Sequence, residues 1–124
     1  MSETLQRVCY DGDPSCRVHY TSGYSDGSVW LRHFHYDTSL IIDYFRRGSG
    51  DIRIEGRLYH FSAGDMIILN PSELHMCTPS EDEAFERITL HVSEAVLEGF
   101  GGDRKVFFEA FYERERGVGN PLRA

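Results

Sequence analysis

From Arg17 onward, short runs rich in Val, Ile, Tyr and Phe alternate with glycine, proline and acidic turns. The turns recur at intervals of roughly eight to twelve residues, which is typical of an all-β sandwich or barrel. Eight short strands are enough for a closed double sheet. The predicted strands are Arg17–Tyr20, Val29–His35, Leu40–Arg46, Asp51–Glu55, Arg57–Phe61, Met66–Leu69, His75–Thr78 and Arg87–Val92.

Turn residues and a change of period mark the other elements. Glu55-Gly56-Arg57 indicates a tight hairpin, and the turn at Ala63-Gly64-Asp65 precedes an uninterrupted apolar run that predicts burial on both faces. After the last strand the period becomes helical. We predict a helix over Glu94–Phe100, capped by Ser93, and an amphipathic helix over Lys105–Arg114.

The chain divides into three parts. Residues 1–14 are polar and turn-prone, which predicts an irregular N-terminal arm. Residues 15–100 hold the barrel. Residues 101–124 hold a helix and a linker-like run that ends in Gly117-Val118-Gly119-Asn120-Pro121. A chain of 124 residues can build one core without disulfides or a structural metal.

Composition excludes several functions. The formal net charge is −7 and the chain contains one lysine, so it lacks the clustered cations that bind nucleic-acid phosphates. It has neither an apolar run long enough to span a membrane nor a signal peptide's basic start. Three cysteines without a CxxC pair fit a reducing compartment. We therefore expect a cytoplasmic protein with no membrane partner.

Two segments carry the candidate chemistry. His33-Phe34-His35 places two histidines on one face of an extended strand. The second segment runs from Gly64-Asp65 through a buried strand to Pro71-Ser72-Glu73-Leu74-His75. A single histidine is more often a hydrogen-bonded polar residue than a ligand. The prediction of a binding site therefore rests on the two segments together.

These segments resemble the two motifs of the cupin superfamily, a His-x-His followed by Glu and Gly, and a Gly-Asp strand that ends in Pro-x-x-x-His. Here they are His33-Phe34-His35 with Gly48, and Gly64–His75. Gly64–His75 and Glu86–Ser93 further resemble the N-terminal effector-sensing domain of AraC-type transcription regulators. The resemblance covers about Trp30–Phe100. It implies a cupin-type double-stranded β-helix, or jelly-roll barrel, with one or two short C-terminal helices.

The metal motif of the superfamily is incomplete. In the superfamily motif, three or four residues separate the second histidine from the glutamate. Counted from His35, those positions are Ser39 and Leu40, and neither is acidic. The two-His, one-carboxylate triad of nonheme iron enzymes therefore lacks its anion. A divalent metal on His33, His35 and His75 stays an alternative to a site with no cofactor, because three histidines and an open position suit zinc.

Without a metal, inward histidines give an apolar barrel the polar lining of a small-molecule pocket that suits hydroxyl-rich ligands such as sugars. Tyr44 stacks on a sugar or packs in the core, and Cys77 lines the pocket or is an inert buried thiol. Arg87 recognises a carboxylate or phosphate, or forms a salt bridge to the Glu81–Glu86 run. The predicted ligand-binding residues are His33, His35, Tyr44, His75, Cys77, Arg87 and Thr89.

Catalytic motifs are missing from the sequence, which contains neither a serine elbow nor a glycine-rich phosphate loop. Asp43 is the one acid on a predicted inward strand and the only candidate general base. We therefore predict a sensor that is not an enzyme. The alternative is a small metal-dependent cupin enzyme, an isomerase or dioxygenase, that uses the three motif histidines.

The resemblance implies a small-molecule effector, with a carbohydrate as the expected class. Effector binding is expected to control a C-terminal helix-turn-helix module that is not present in this chain. DNA would be contacted only through that module, because a recognition helix is basic and this chain is acidic. The full-length regulator is expected to be a homodimer, and this chain a monomer.

Overall fold

The computed structural model describes residues 6–13, 16–25, 31–33, 39–70, 73–93, 115 and 117–122. Most of these residues lie in β-strands, and none of them lies in a helix. The strands are β1 (Gln6–Asp13), β2 (Cys16–Gly23), β3 (Leu31–His33), β4 (Ser39–Arg47), β5 (Ser49–Ile54), β6 (Arg57–Ser62), β7 (Met66–Leu69), β8 (His75–Pro79), β9 (Phe85–Ser93) and β10 (Pro121–Leu122). The two predicted helices fall outside the described residues.

The strands form two sheets. One sheet has six strands in the order β1-β2-β9-β4-β7-β10, and the other has four in the order β3-β8-β5-β6. All of the pairings are antiparallel. Both sheets contribute buried side chains to one hydrophobic core, so they pack face to face. The structure confirms the predicted all-β jelly-roll class.

Alternation along the strands determines which side chains reach the core. On β9 every second residue from Phe85 to His91 is buried, and β5 and β8 alternate in the same way. Phe45 stacks on Phe61 with ring centroids 3.9 Å apart, and the Phe85 ring lies 6.0 Å from that of Phe61. These three rings fill one end of the space between the sheets. Polar inward residues gather farther along the same strands.

The N-terminal segment differs from its prediction. An irregular arm was expected over residues 1–14, but Gln6–Asp13 forms β1, the edge strand of the six-stranded sheet. It pairs with β2 from Gln6↔Ser22 to Asp13↔Cys16. The prediction was wrong because the strand is held by backbone pairing with β2, and its polar, turn-rich sequence gives little local signal. Val8, for example, is exposed although it is apolar.

The C-terminal segment also differs from its prediction. The run from Gly117 to Pro121 was expected to be a linker, but Asn120 is fully buried and Pro121–Leu122 pairs with β7. The segment is therefore part of the packed structure. Within the part of the chain that the structure describes, no helix has the length and apolarity needed to cross a bilayer.

Candidate functional site

Four polar side chains lie together on the inner face of the six-stranded sheet. Asp43 on β4 is opposite Thr89 on β9, and Thr21 on β2 is opposite Arg87 on β9. Their exposed fractions are 2%, 6%, 0% and 3%, respectively. We call these four residues the inner polar cluster. Charged residues are seldom buried this deeply unless they are paired, so the cluster calls for an explanation.

The cluster satisfies only part of its hydrogen-bonding capacity. Thr89 Oγ1 donates to Asp43 Oδ1 over 2.6 Å. Arg87 Nε lies 3.9 Å from the same oxygen, which is close enough for charge attraction but too far for a hydrogen bond. Among the described residues, Arg87 Nε and Thr21 Oγ1 have no hydrogen-bond partner. An unpaired buried polar group is costly, so the cluster retains hydrogen-bonding capacity for a further polar group.

His75 lies on the facing sheet, also buried and on the inner face. Its register partner on β5 is Ile54, a core residue. His75 Nδ1 lies 3.1 Å from the carbonyl oxygen of Glu73. A carbonyl can only accept, so Nδ1 carries the hydrogen and Nε2 is the acceptor nitrogen of the neutral ring. This bond fixes the orientation of the buried His75 ring.

The other two motif histidines are described incompletely. The backbone pairing of β3 with β8 sets His33 directly opposite His75. The side chain of His33 and all of His35 lie outside what the structure describes. Among the described side chains, no group of three His, Cys, Asp or Glu residues is placed to hold a metal ion. The proposed three-histidine site thus stays a prediction.

Cys77 follows His75 on the inner face of β8 and is 1% exposed. Burial raises the pKa of the Cys77 thiol to about 12, although the nearby Arg87 opposes the shift. Thiolate is the reactive form of cysteine, so this side chain is an unreactive, neutral part of the wall. Its place beside Arg87 puts it next to the inner polar cluster.

The state of Cys77 leads to a prediction for thiol chemistry. In a Cys9→Ser/Cys16→Ser background, the remaining thiol should stay unmodified by a thiol reagent in the folded protein and react at once in concentrated guanidinium chloride. The contribution of Cys77 to the free energy of unfolding should also fall as the pH rises from 9.0 towards about 12, because in that interval its thiol ionises only in the unfolded chain. Cys77→Ala removes this part of the pH dependence. Rapid labelling of the folded chain would contradict the assignment.

Two predicted interactions of the site are wrong. Tyr44 lies between the inward residues Asp43 and Phe45 and is 37% exposed, so it points away from the interior and cannot stack on a ligand there. Arg87 does not pair with the acidic run that precedes it but faces Asp43. The nearest acid of that run, Glu86, points to the outer face, where it accepts from the Tyr20 hydroxyl.

Sequence reasoning missed two members of the cluster and one neighbour. Thr21 belongs to the site only because β2 pairs with β9, a long-range contact that no local pattern reveals. Asp43 was considered only as a general base, and not as the partner of Arg87 and Thr89 that the pairing of β4 with β9 makes it. His91 is 8% exposed and continues the inward series of β9, with its ring 4.8 Å from that of His19. Extending the alternation from Thr89 would have found it.

A family comparison fits this arrangement of buried polar groups in a double-sheet barrel. The model of the AraC-like ligand binding domain matches residues 18–124. The chain belongs to this family. The AraC-like ligand binding domain thus includes residues 117–122, the segment that packs against β7. A search of curated proteins gave no match.

Solved structures place the AraC-like ligand binding domain in the cupin fold. It is similar to a cupin protein from Bacteroides fragilis at 20% identity and a TM-score of 0.62, over 71% of this chain and 76% of that one. It is also similar to a Cupin 2 conserved barrel domain protein from Salinispora arenicola at 20% identity and a TM-score of 0.62, over 77% of this chain and 82% of that one. The similarity to the Cnp3 cupin domain of Schizosaccharomyces pombe has 9% identity and a TM-score of 0.65, over 77% of this chain and 65% of that one. At these identities the similarity shows the fold alone.

Proposed function

We propose that this domain binds a small carbohydrate inside the barrel and that its occupancy controls a helix-turn-helix module of the same regulator. The observation that carries the proposal is the unused hydrogen-bonding capacity of Arg87 Nε and Thr21 Oγ1 in a buried interior. The family match supports a ligand-binding role for the domain as a whole. Binding without chemical conversion, a cytoplasmic location and a homodimeric full-length protein are parts of the same proposal.

The charges of the cluster favour a neutral, hydroxyl-bearing ligand. Asp43 and Arg87 carry opposite charges within 3.9 Å of each other, so the cluster as a whole is close to neutral. An anionic ligand that reached Arg87 would also approach the carboxylate of Asp43 and be repelled. A hydroxyl group can accept from Arg87 and donate to Asp43 at the same time. Adjacent hydroxyls on a sugar ring could serve Thr21 as well.

A thermal-shift panel of sugars, sugar acids and other small metabolites tests the proposal. A ligand that binds only the folded state at a large excess over its Kd raises the melting temperature by several degrees. Thr21→Val keeps the shape of the side chain but removes its hydroxyl, and it should weaken that ligand about tenfold. Tyr44→Ala on the outer face is the matched control and should bind normally. A complete panel without a shift would overturn the proposal.

The rival function, a small metal-dependent cupin enzyme, is favoured by one observation. His33 and His75 are register partners, and the Nδ1 of His75 is held by a backbone carbonyl, as is common for metal-binding histidines. Metal analysis of protein purified without chelator separates the two functions. Stoichiometric metal that is lost in His75→Ala supports the enzyme. Metal-free protein that binds a sugar supports the sensor.

A further inference from the structure

We propose that residues 117–122 are an output strap, a segment whose docking on the barrel changes with the state of the binding site and so passes that state towards the C-terminus. This inference rests on the proposed sensing function and specifies its transmission. The contacts that carry it converge on Glu73, whose side chain is 2% exposed and takes no part in the inner polar cluster.

Glu73 binds the output strap through its carboxylate. Gly117 N donates to Oε2 over 2.7 Å, and Asn120 Nδ2 lies 3.2 Å from each of the two oxygens. The same carboxylate accepts from Asn70 N over 3.0 Å, which fixes the loop before β8. One side chain therefore joins the loop and the strap, which are more than forty residues apart.

Asn120 completes the docking on β7. Its carbonyl accepts from Ile68 N over 3.1 Å, and its side-chain amide donates to Ile68 O over 2.8 Å. Gly117 has a φ of +74°, and a Cβ at that position would lie 2.9 Å from the carbonyl oxygen of Ile54. Tyr59 also donates to the carbonyl of Gly117. These contacts form a specific docking site for the strap, and only glycine fits position 117 without strain.

His75 connects this docking site to the barrel interior. Its Nδ1 donates to the backbone carbonyl of Glu73, and its ring is buried on the inner face of β8. Leu74, between them, is clamped to Glu55 by hydrogen bonds of 3.0 and 2.9 Å. A ligand group that engages or displaces the His75 ring therefore acts on the residue that holds the strap. The coupling runs through three consecutive residues.

The strap can undock without unfolding the barrel. Its strand, β10, has two residues at the edge of the sheet, whereas the central strands β4 and β9 pair along eight positions. Segments at a sheet edge with few pairings open at a lower free energy than the core. A docked and an undocked state thus give the two-state element that transmission between sites requires.

Hydrogen exchange of the 124-residue chain, followed by NMR, tests the strap. The amides of Gly117 and Ile68 report on docking, because they bond to Glu73 and Asn120, respectively. Glu73→Gln is isosteric, but its amide group must face one of the donors, so both amides should exchange about tenfold faster or more. His75→Ala should accelerate the same two amides about threefold or more through the lost bond to Glu73.

Cys77→Ala is the matched control, since it truncates the next inward residue on β8, two positions farther along the chain from Glu73 than His75 is. It should leave both amides unchanged relative to those of the β5–β6 hairpin. If His75→Ala also leaves them unchanged, the coupling is overturned; if Glu73→Gln does so, the docking is overturned. Should Glu73→Gln fail to fold, Asn120→Ala removes the bond from the strap side. No ligand is needed, so this result is independent of the sugar panel.

Discussion

Asp43→Asn is expected to destabilise the domain by about 3–5 kcal/mol, because it leaves the buried charge of Arg87 without its counterion. The asparagine side chain has the same shape, and its carbonyl can still accept from Thr89, so the change isolates the charge. Arg87 is 3% exposed and cannot regain water without opening the barrel. Urea unfolding followed by circular dichroism measures the loss.

A double variant provides the control. Asp43→Leu combined with Arg87→Met removes both charges together, and an apolar replacement of a buried ion pair is often neutral or stabilising. We expect the double variant to be more stable than Asp43→Asn. A loss below about 0.5 kcal/mol for Asp43→Asn, the size typical of surface substitutions, would show that the pair is not buried as described.

Gly50→Ala is expected to cost about 3 kcal/mol or more, since inserted atoms in a packed core force the backbone and neighbouring side chains to shift. A Cβ at Gly50 would lie 2.4 Å from the carbonyl oxygen of Thr78 on the neighbouring strand and 2.8 Å from Cζ of Phe61. The first of these atoms is backbone within a sheet and cannot rotate away. Thermal and urea unfolding would both register the loss.

Gly56→Ala separates this clash from the general cost of replacing glycine. Gly56 has a φ of +82°, but nothing lies within 4 Å of the added Cβ, so only the backbone strain of about 1–2 kcal/mol applies. Gly50→Ala should therefore be clearly the less stable of the two variants. Equal losses would mean that β5 does not approach β8 and Phe61 as closely as the structure has it.

The architecture could be predicted because its signals are local. Met66–Leu69 is an uninterrupted apolar run between turns, and the structure has a strand with those same bounds. The alternation that begins near Arg87 gave the closing strand, which the structure extends to Phe85–Ser93. β1 was missed because an edge strand with a polar sequence is specified by its partner rather than by its own pattern.

The site could be predicted only where one strand alone determines the inward face. On β8 and β9 strict alternation places Cys77 and Thr89 inside, as expected. On β4 the apolar residues occupy both faces, so the pattern did not show whether Asp43 or Tyr44 points inward; pairing with β9 decides it. The contact of Glu73 with the output strap joins segments far apart in sequence, and no local pattern reveals it.

The central claim is that a small hydroxyl-bearing molecule binds between the sheets. The most direct test is an NMR titration of the 124-residue chain with the panel sugar that gives the largest thermal shift. We predict that the chemical-shift changes at saturation concentrate on Thr21, Asp43, Arg87 and Thr89 and spare Tyr44 on the outer face. Saturable changes confined to the outer face, with the inner polar cluster unperturbed, would contradict it.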